Sequence, residues 1–585
     1  IRQLEQKGLA KDILVKLNAM LEQSEEDSNY VQIFKILAYQ SKYILQSSED
    51  AVPQIFSKYE SKLRSSRFPI KQIFHSGLAE MYLWYYQQNR WRYAERTNAA
   101  DSQEENLLTW DLQKILEKIE QHYDSSLLPA KQLQSVDLNY AAEILIDEKS
   151  PYGKYGKELR PSLYDFLAHR ALEFYKSGEA EALAPKKSVE ITEDAFLQPK
   201  EFLKTYGNVE KGKLSNQAEA LHIYQKLLHF HQSASHPNAF VHLQLDYFKF
   251  LRENSHLINK DSLYLSALNS LLKGNKKATA AAEIYYEIAE FHLQHSTEME
   301  RKDEKKAEMQ EAYKNAKKAV KDYANSFGAQ KSKVLIFNLE QKELHFESMN
   351  AYPSMQWGLI GLSHKNIRNA YVSIVRSPFS AYQLHDLQTE KKIALLKKQQ
   401  LVFSDTIDLL KEDDFLSHKS EYAIPPLKRG RYVIIVSNYA GLKEENALLS
   451  FQEIWISDIS CLFRSQDGKI EVRALNRQSG RALRNLKVET LEQIYQPSSR
   501  TYTFKSKEST FTDHEGYAFF DAEKNTGNLT LLLTDGKDSL LTADNFRIYR
   551  SSREPEATRK RVYFFLDRSI YRPGQIVYFK TILTE

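Results

Sequence analysis

The hydrophobic positions of residues 1 to about 330 recur at the spacing of an α-helix. Ile13, Leu17 and Leu21 fall on one helical face, and later segments repeat this arrangement with many tyrosines beside the apolar stripe. Gln32-Ile-Phe34 and Gln72-Ile-Phe74 each open a Tyr-rich helix, which suggests a helix-pair repeat of about 40 residues. The pattern predicts that 1–330 form an all-helical, solenoid-like domain of tetratricopeptide-like helix pairs.

Several residues in this region predict where helices begin and end. Thr109 is expected to cap the helix that follows it, and Pro161 to lie in the first turn of the next helix. Residues 176–215 carry Gly, Pro and Lys without a sustained period, and they predict a long loop or a partly ordered connection. Gly328 is expected to end the last helix as its C-cap.

The hydrophobic period changes from 3.6 to 2 at about Lys331. Val334 and Ile336 are assigned to the first of several alternating strands, and Tyr432–Val436 to a later, buried one. Residues 331–457 are therefore predicted to form a first β-sandwich. In the approach to that later strand, residues 426–430 resemble the corresponding loop of a first macroglobulin domain, although a generic loop before a sandwich strand explains them equally well.

A second β-sandwich is predicted over 458–558. Asp467-Gly468 is a strong hairpin signal, because both residues tolerate the positive φ of a type I′ turn. Gly480–Val488 and Thr512–Phe520 resemble sequence patterns that carboxypeptidase-regulatory-like and macroglobulin sandwiches share. Within the second stretch, Asp513 can bond the backbone of its own turn while Gly516 takes the left-handed position.

The last predicted element is a pair of strands joined by a tight turn. Val562–Leu566 and Ile576–Phe579 are aromatic and β-branched, and Pro573-Gly574 between them suits a type II turn. The run Asp567–Lys580 closely resembles the opening of the second macroglobulin domain in the alpha-2-macroglobulin superfamily, where the pattern Asp-x-x-x-Tyr-x-Pro-Gly-x-x-Val occurs. Residues 559–585 are accordingly expected to open a further, truncated macroglobulin domain.

A second resemblance lies in the helical region. Arg160–Leu172 is similar to the helical leader of bacterial alpha-2-macroglobulin family proteins of the Bacteroidetes type. Taken together, the two resemblances imply the N-terminal scaffold portion of a broad-spectrum endopeptidase inhibitor that entraps proteases. They further imply proteases as partners, and a periplasmic or cell-envelope location reached through a signal segment absent from this chain. The bait region and any thioester would lie outside this fragment.

Composition narrows the range of functions. The chain has 585 residues, more than the ~250–300 that share one core, so several domains are expected. A net charge of +4 without long blocks of one sign gives no sign of nucleic-acid binding. No run of apolar residues approaches the length of a membrane span. The single cysteine, Cys461, excludes an intramolecular disulfide.

No catalytic, cofactor or metal residue is assigned, and the chain is not expected to be an enzyme. Five histidines fall within 21 residues, but solvated or capping roles suit them better than metal binding (His222, His229, His231, His236 and His242). His514-Glu515 lacks the second histidine of a zinc helix. Cys461 lacks both activating neighbours and the Cys-x-Glu-Gln pattern of the family's thioester, so a small buried hydrophobe is expected there.

Two alternatives remain open. A helical-repeat adaptor could bind a protein or peptide on its solenoid and use the β-sandwiches as spacers. The helical domain could equally contact an envelope protein within the inhibitor. A cell-wall or sugar-processing enzyme is disfavoured, because the sequence contains no paired-carboxylate or nucleophile motif.

Overall fold

The computed structural model describes the chain in two compact units, Ile1–Leu339 and Glu340–Glu585. The described residues are all of 1–585 except 48–50, 91–106, 108–109, 146–152, 178, 180–188, 207–214, 234–235, 378–388, 410–412, 442–447, 467, 498–500, 523, 526, 543–545, 549–560, 567–575 and 585.

The first unit consists of α-helices and of short 3₁₀-helices at Leu138–Ala141 and Gly153–Tyr155. The α-helices described are α1 (Arg2–Gln6), α2 (Ala10–Glu26), α3 (Tyr30–Ser47), α4 (Ala51–Ser65), α5 (Ile70–Gln88), α6 (Leu112–Ser126), α7 (Ala130–Gln134), α8 (Gly156–Leu159), α9 (Leu163–Lys176), α10 (Asp194–Leu197), α11 (Pro199–Tyr206), α12 (Asn216–Ser233), α13 (Pro237–Asn254), α14 (Lys260–Asn275), α15 (Ala281–Glu298), α16 (Lys302–Asp322) and α17 (Phe327–Glu340).

Tyrosines are a main component of the helical core. Tyr82, Tyr123 and Tyr224 are buried within one large apolar cluster that extends from α3 to α16. A buried hydroxyl must find a partner, because leaving it unpaired costs free energy. Each of these hydroxyls donates to a carboxylate on a neighbouring helix: Tyr82 to Glu60 (2.9 Å), Tyr123 to Glu80 (3.1 Å) and Tyr224 to Asp246 (2.6 Å).

The helix starts differ in detail from the sequence predictions. Asp111, not Thr109, caps α6, since its side chain accepts from the Lys114 backbone N–H at 2.8 Å; Thr109 lies outside the described residues. The N-cap of α9 is Ser162, which forms a capping box with Asp165. Pro161 therefore precedes the cap instead of lying in the first turn.

The end of the helical unit also corrects the prediction. Val334 and Ile336 lie in α17, which ends at Glu340, so the change to strands comes later than Lys331. Gly328 is not a C-cap but lies inside α17, where an added Cβ would come 2.2 Å from the Ala282 carbonyl carbon of α15. Residues 176–215, predicted to be a loop, contain α10 and α11.

Eight strands of the second unit form a first sandwich. They are β1 (Glu343–Ser348), β2 (Ala351–Tyr352), β3 (Gly358–Lys365), β4 (Asn369–Arg376), β5 (Leu401–Asp408), β6 (His418–Ile424), β7 (Gly430–Ser437) and β8 (Leu449–Ile456), with helix α18 (Thr389–Leu396) between β4 and β5. One sheet has the order β1-β3-β6 and the other β2-β8-β7-β4-β5. Alternating side chains of both sheets fill one core.

A second sandwich follows, made of β9 (Ile459–Gln466), β10 (Lys469–Asn476), β11 (Lys487–Gln496), β12 (Thr501–Phe511), β13 (Tyr517–Asp521), β14 (Gly527–Thr534), β15 (Ser539–Leu541) and β16 (Phe546–Ile548). The sheets are β13-β10-β9 and β12-β11-β14-β15, with β16 beside β14. The β9–β10 hairpin places Gly468 at φ +74°, and Asp513 accepts from the Tyr517 backbone N–H at 2.8 Å. Helices followed by β-sandwiches are confirmed as the fold class.

Candidate functional site

The final hairpin is present where the family-like motif predicts it. Strand β17 (Arg561–Leu566) pairs antiparallel with β18 (Phe579–Thr584), with Leu566 opposite Phe579. The second strand begins at Phe579, so Ile576 precedes it instead of opening it. Pro573-Gly574 and the preceding motif residues from Asp567 lie outside the described residues.

Both faces of this hairpin carry exposed apolar side chains. Phe564 is 65% exposed and its neighbour Phe565, which points to the opposite face, is 53% exposed. On β18, Phe579 and Leu583 are also exposed. An isolated two-stranded hairpin is marginally stable in water. The hairpin thus presents an apolar surface that a further packing layer could cover.

The two sandwiches are joined through a buried aspartate, Asp458, in the two-residue link between β8 and β9. Its carboxylate accepts from the first sandwich, namely from Ser354 N–H (2.9 Å) and from Ser354 Oγ–H (2.6 Å), and from Arg429 Nη2 (2.8 Å). From the second sandwich it accepts from Gln478 Nε2 (3.0 Å). The Asp458 side chain, which is only 7% exposed, therefore accepts hydrogen bonds from residues of both sandwiches.

The groups around Asp458 favour the ionised form of its carboxyl group. Burial opposes ionisation, but the hydrogen bonds from Ser354, Arg429 and Gln478 outweigh it and lower the pKa of Asp458 to about 2. The backbone N–H of Asp458 donates to Asp538 Oδ2 at 2.8 Å. Arg477 donates to the carbonyls of Ser457 (3.0 Å) and Ile459 (2.7 Å), so the backbone on both sides of Asp458 is also held.

Apolar contacts reinforce the same junction. Ala351 of β2 and Trp455 of β8 belong to the core of the second sandwich, although their strands are part of the first. The Arg431 guanidinium lies 4.9 Å from the centre of the Trp455 ring. This site is hard to predict from the sequence, because no motif marks Asp458. Its one signal is the polar pair Ser457-Asp458, which interrupts an apolar run that predicts a continuous strand.

The histidines of the helical unit are dispersed among different partners. His242 Nδ1 lies 2.7 Å from Glu283 Oε1, and His236 is exposed at the start of α13 without a capping side-chain bond. His222 and His229 line a groove of about 340 Å³ beside α11. Among the described residues, no group of three or more His, Cys, Asp or Glu side chains could hold a metal ion.

His231 does not fit the expectation of a solvated or capping histidine. It is buried, and its Nε2 lies 2.6 Å from Asp165 Oδ1. Asp165 also belongs to the capping box of α9, and the hydrogen bonds from His231 and Ser162 outweigh burial and hold its pKa below the usual value. The reason is structural: α12 packs against α9, and His231 contacts the buried carboxylate oxygen of Asp165, Oδ1, while Ser162 donates to the other oxygen, Oδ2.

Cys461 and His514 show no arrangement suited to catalysis. Cys461 lies in β9 and packs against the core of the second sandwich, where burial raises the pKa of its thiol to about 11. The thiolate, which is the nucleophilic form, is therefore scarce at neutral pH. His514 lies in the turn before β13, where Asp513 accepts from the Glu515 backbone N–H at 2.9 Å.

None of the described helices has both the length and the apolar character needed to cross a bilayer. No protein-family model matches the chain, and no curated protein matches it.

Solved structures do match parts of the chain. One is native Escherichia coli alpha-2-macroglobulin spanning domains MG0-NIE-MG1, with 15% identity and a TM-score of 0.25 over 34% of this chain and 64% of that one. Another spans domains NIE-MG1, with 16% identity and a TM-score of 0.26 over 35% of this chain and 97% of that one. The native E. coli protein solved by cryo-EM has 18% identity and a TM-score of 0.23 over 42% of this chain and 15% of its own. At these TM-scores the likeness carries no argument on its own.

Proposed function

We propose that the chain is the N-terminal scaffold portion of an alpha-2-macroglobulin-like endopeptidase inhibitor. The supporting observation is the motif-like run Asp567–Lys580, whose flanking segments form the antiparallel pair β17–β18. The two sandwiches upstream supply a suitable setting, since macroglobulin domains occur in tandem. In this proposal the bait region and any thioester belong to parts of the protein beyond this chain.

The chain's own contribution would be rigid support. Asp458, Arg429 and Gln478 fix one sandwich on the next, as a scaffold that transmits a rearrangement requires. We propose that the chain is not an enzyme and that this role involves no catalysis. In agreement with this, burial keeps the thiol of Cys461 protonated. Proteases would be partners through the proposed bait region, and the cell envelope is the proposed location.

Incubation of the full-length gene product with a panel of endopeptidases tests the inhibitor role. We expect one preferred cleavage site beyond Glu585, a change of electrophoretic mobility under native conditions, and loss of activity on a large substrate with activity on a small peptide retained. Residues 1–585 alone serve as the matched control and should inhibit nothing. Cleavage at many sites without a mobility change would contradict the proposal.

A peptide-binding adaptor is the second candidate, and one observation favours it. The groove of about 340 Å³ in the helical unit is lined by Leu203, Leu228 and Phe240 together with lysine, glutamine and histidine side chains. A gene product that ends shortly after residue 585 and binds peptides through its helical unit would support this role over protease entrapment.

A further inference from the structure

A charged cavity of about 240 Å³ lies inside the helical unit, apart from the surfaces discussed above. Its wall includes Arg160 at the end of α8, His169 and Glu173 of α9, and residues of α13, α15 and α17. The volume corresponds to roughly eight water molecules at ~30 Å³ each. It is smaller than the pockets of drug-sized ligands, so it suits a molecule no larger than an amino acid or a dipeptide.

Most charges in this wall already have partners. Lys249 and Lys331 both contact Glu287, at 2.9 and 3.1 Å. Lys176 contacts Asp246 at 2.8 Å. These pairs account for the cost of placing so many ionised groups among packed helices, because a buried charge is tolerated when it is paired and hydrogen-bonded.

Arg160 is the exception among the cations. It makes no ion pair within 4.0 Å and no side-chain hydrogen bond among the described residues. Burial lowers the pKa of its guanidinium, and the carboxylates of Glu173, Asp246 and Asp165 oppose that shift from beyond ion-pair distance. A guanidinium presents a planar fork of N–H donors that matches a carboxylate. An unpaired one in a cavity wall is therefore a ready site for the carboxylate of a ligand.

His169 supplies a hydrogen-bond acceptor that complements the Arg160 donors. It is 6% exposed, and its Nδ1 lies 2.7 Å from the carbonyl oxygen of Asp165 in the preceding turn. A carbonyl can only accept, so Nδ1 carries the hydrogen and Nε2 is left as an acceptor. Burial and the nearby Arg160 lower the pKa of His169 to about 3, which keeps Nε2 unprotonated at neutral pH. Nε2 is buried and has no hydrogen-bond partner in the part of the chain that the structure describes.

The cavity thus offers a free cation, a free neutral acceptor and one further anion. Glu173 follows His169 by one helical turn, is exposed, and makes no ion pair among the described residues. We propose that the cavity binds a small zwitterionic carboxylate, either a free α-amino acid or the end of a short peptide. Its carboxylate would lie on Arg160, and its ammonium group would donate to His169 Nε2 and face Glu173. Leu172 and Leu245 would contact a small apolar side chain.

Inorganic phosphate is the competing ligand, because it too can bind a guanidinium. It carries no cationic group for Glu173, and a second negative charge would face Asp246, Glu283 and Glu287 in the same wall. The charge distribution therefore favours the zwitterion. This inference does not depend on the protease-inhibitor proposal.

Calorimetric titration of the 585-residue chain with five probes tests the proposal: L-leucine, alanyl-alanine, acetyl-leucine, leucinamide and inorganic phosphate. We expect leucine or the dipeptide to bind, and the stronger of the two identifies the source of the ligand. Acetyl-leucine lacks the ammonium group and leucinamide the carboxylate, so each should bind at least ~10-fold more weakly than leucine, as the loss of one charged hydrogen bond implies.

Variants refine the assignment. Arg160→Gln should weaken binding by ~10-fold or more, and Arg160→Lys by less, because the charge remains but the fork is lost. Arg170→Gln is the matched control: Arg170 follows His169 in α9 but does not line the cavity and pairs with Glu80, so affinity should not change. The five probes are titrated into the unaltered protein, so that test does not depend on whether a variant folds. Failure of all zwitterions to bind, equal affinity for acetyl-leucine, or tighter binding of phosphate would each overturn the proposal.

Discussion

The two units of the molecule hold themselves together in different ways. In the helical unit, one continuous apolar cluster extends from α3 to α16, and buried tyrosines bond carboxylates on neighbouring helices. The β unit has separate cores for its two sandwiches, and much of what joins them converges on one polar side chain, Asp458. Damage to the first unit should therefore spread through one core, whereas damage to Asp458 should separate two cores that each remain folded.

The largest expected effect is at Gly328. A Cβ there would lie 2.2 Å from the backbone of Ala282 and Glu283, so Gly328→Ala must push α17 away from α15. We expect a loss of at least ~3 kcal/mol in the free energy of unfolding of the helical unit, measured by denaturant titration with far-UV circular dichroism. Gly274→Ala in α14 meets no atom within 4 Å and serves as the control, which should be neutral or slightly stabilised. Equal effects would refute the close-packing account.

Asp458→Ala is next in size. It removes the acceptor for Ser354, Arg429 and Gln478 at once, and we expect about 2–3 kcal/mol of destabilisation at the junction. Limited proteolysis should then cut between β8 and β9 and leave two resistant fragments. Asp303→Ala, which breaks an exposed pair with Arg301, should change little. Loss of both sandwiches together would contradict the picture of separate cores.

The pH dependence of the junction follows from the same carboxyl. Because the folded-state pKa of Asp458 is about 2, below the ordinary aspartate value of 3.8, the ionised form stabilises the folded protein. That contribution, about 2 kcal/mol, is fully present above pH ~4 and is lost as the pH falls towards 2. Asp458→Asn should be less stable at pH 5, and its deficit should shrink between pH 4 and 2. A deficit that does not change with pH would argue against this assignment.

A smaller effect is expected for the tyrosine hydroxyls of the helical core. Tyr82→Phe removes the hydrogen bond to Glu60 while keeping the ring, so we expect a loss of about 1 kcal/mol in thermal or denaturant unfolding. Tyr140→Phe at an exposed position is the control and should be neutral. No difference between the two would mean that the apolar cluster alone stabilises this unit.

The smallest effect on stability is expected at the terminal hairpin. Phe564→Ser should change the free energy of unfolding by less than ~0.5 kcal/mol, because the ring is mostly exposed. The same substitution should reduce self-association at high concentration, which light scattering measures, since it removes part of an exposed apolar surface. Val372→Ser, buried in the first sandwich, should destabilise strongly and serves as the contrast.

Local patterns predicted much of this fold. The period of three to four residues identified the helices, and the positive φ of Gly468 and Gly516 was foreseen from turn chemistry. Val334 and Ile336 were assigned to a strand because a short apolar run does not distinguish a strand from a buried helix. Gly328 was expected to be a C-cap because glycine is common at that position. The close approach of α15, which leaves no room for a Cβ, is the actual reason for the glycine.

The functional sites were harder to foresee. Arg160 and His169 lie within one sequence segment that was noted for a family resemblance, yet their significance depends on what three other helices place opposite them. Asp458 has the same property, because its partners are up to 104 residues away in the chain. Long-range polar contacts of this kind leave no period in the sequence.

The link between β8 and β9 has a mechanical consequence. Only Ser457 and Asp458 separate the two strands, a tether of about 7 Å even when extended, and its backbone is clamped on both sides. A force applied to one sandwich would be transmitted to the other without a large change in the angle between them. Any large change of orientation between domains must therefore occur at a linker other than this one.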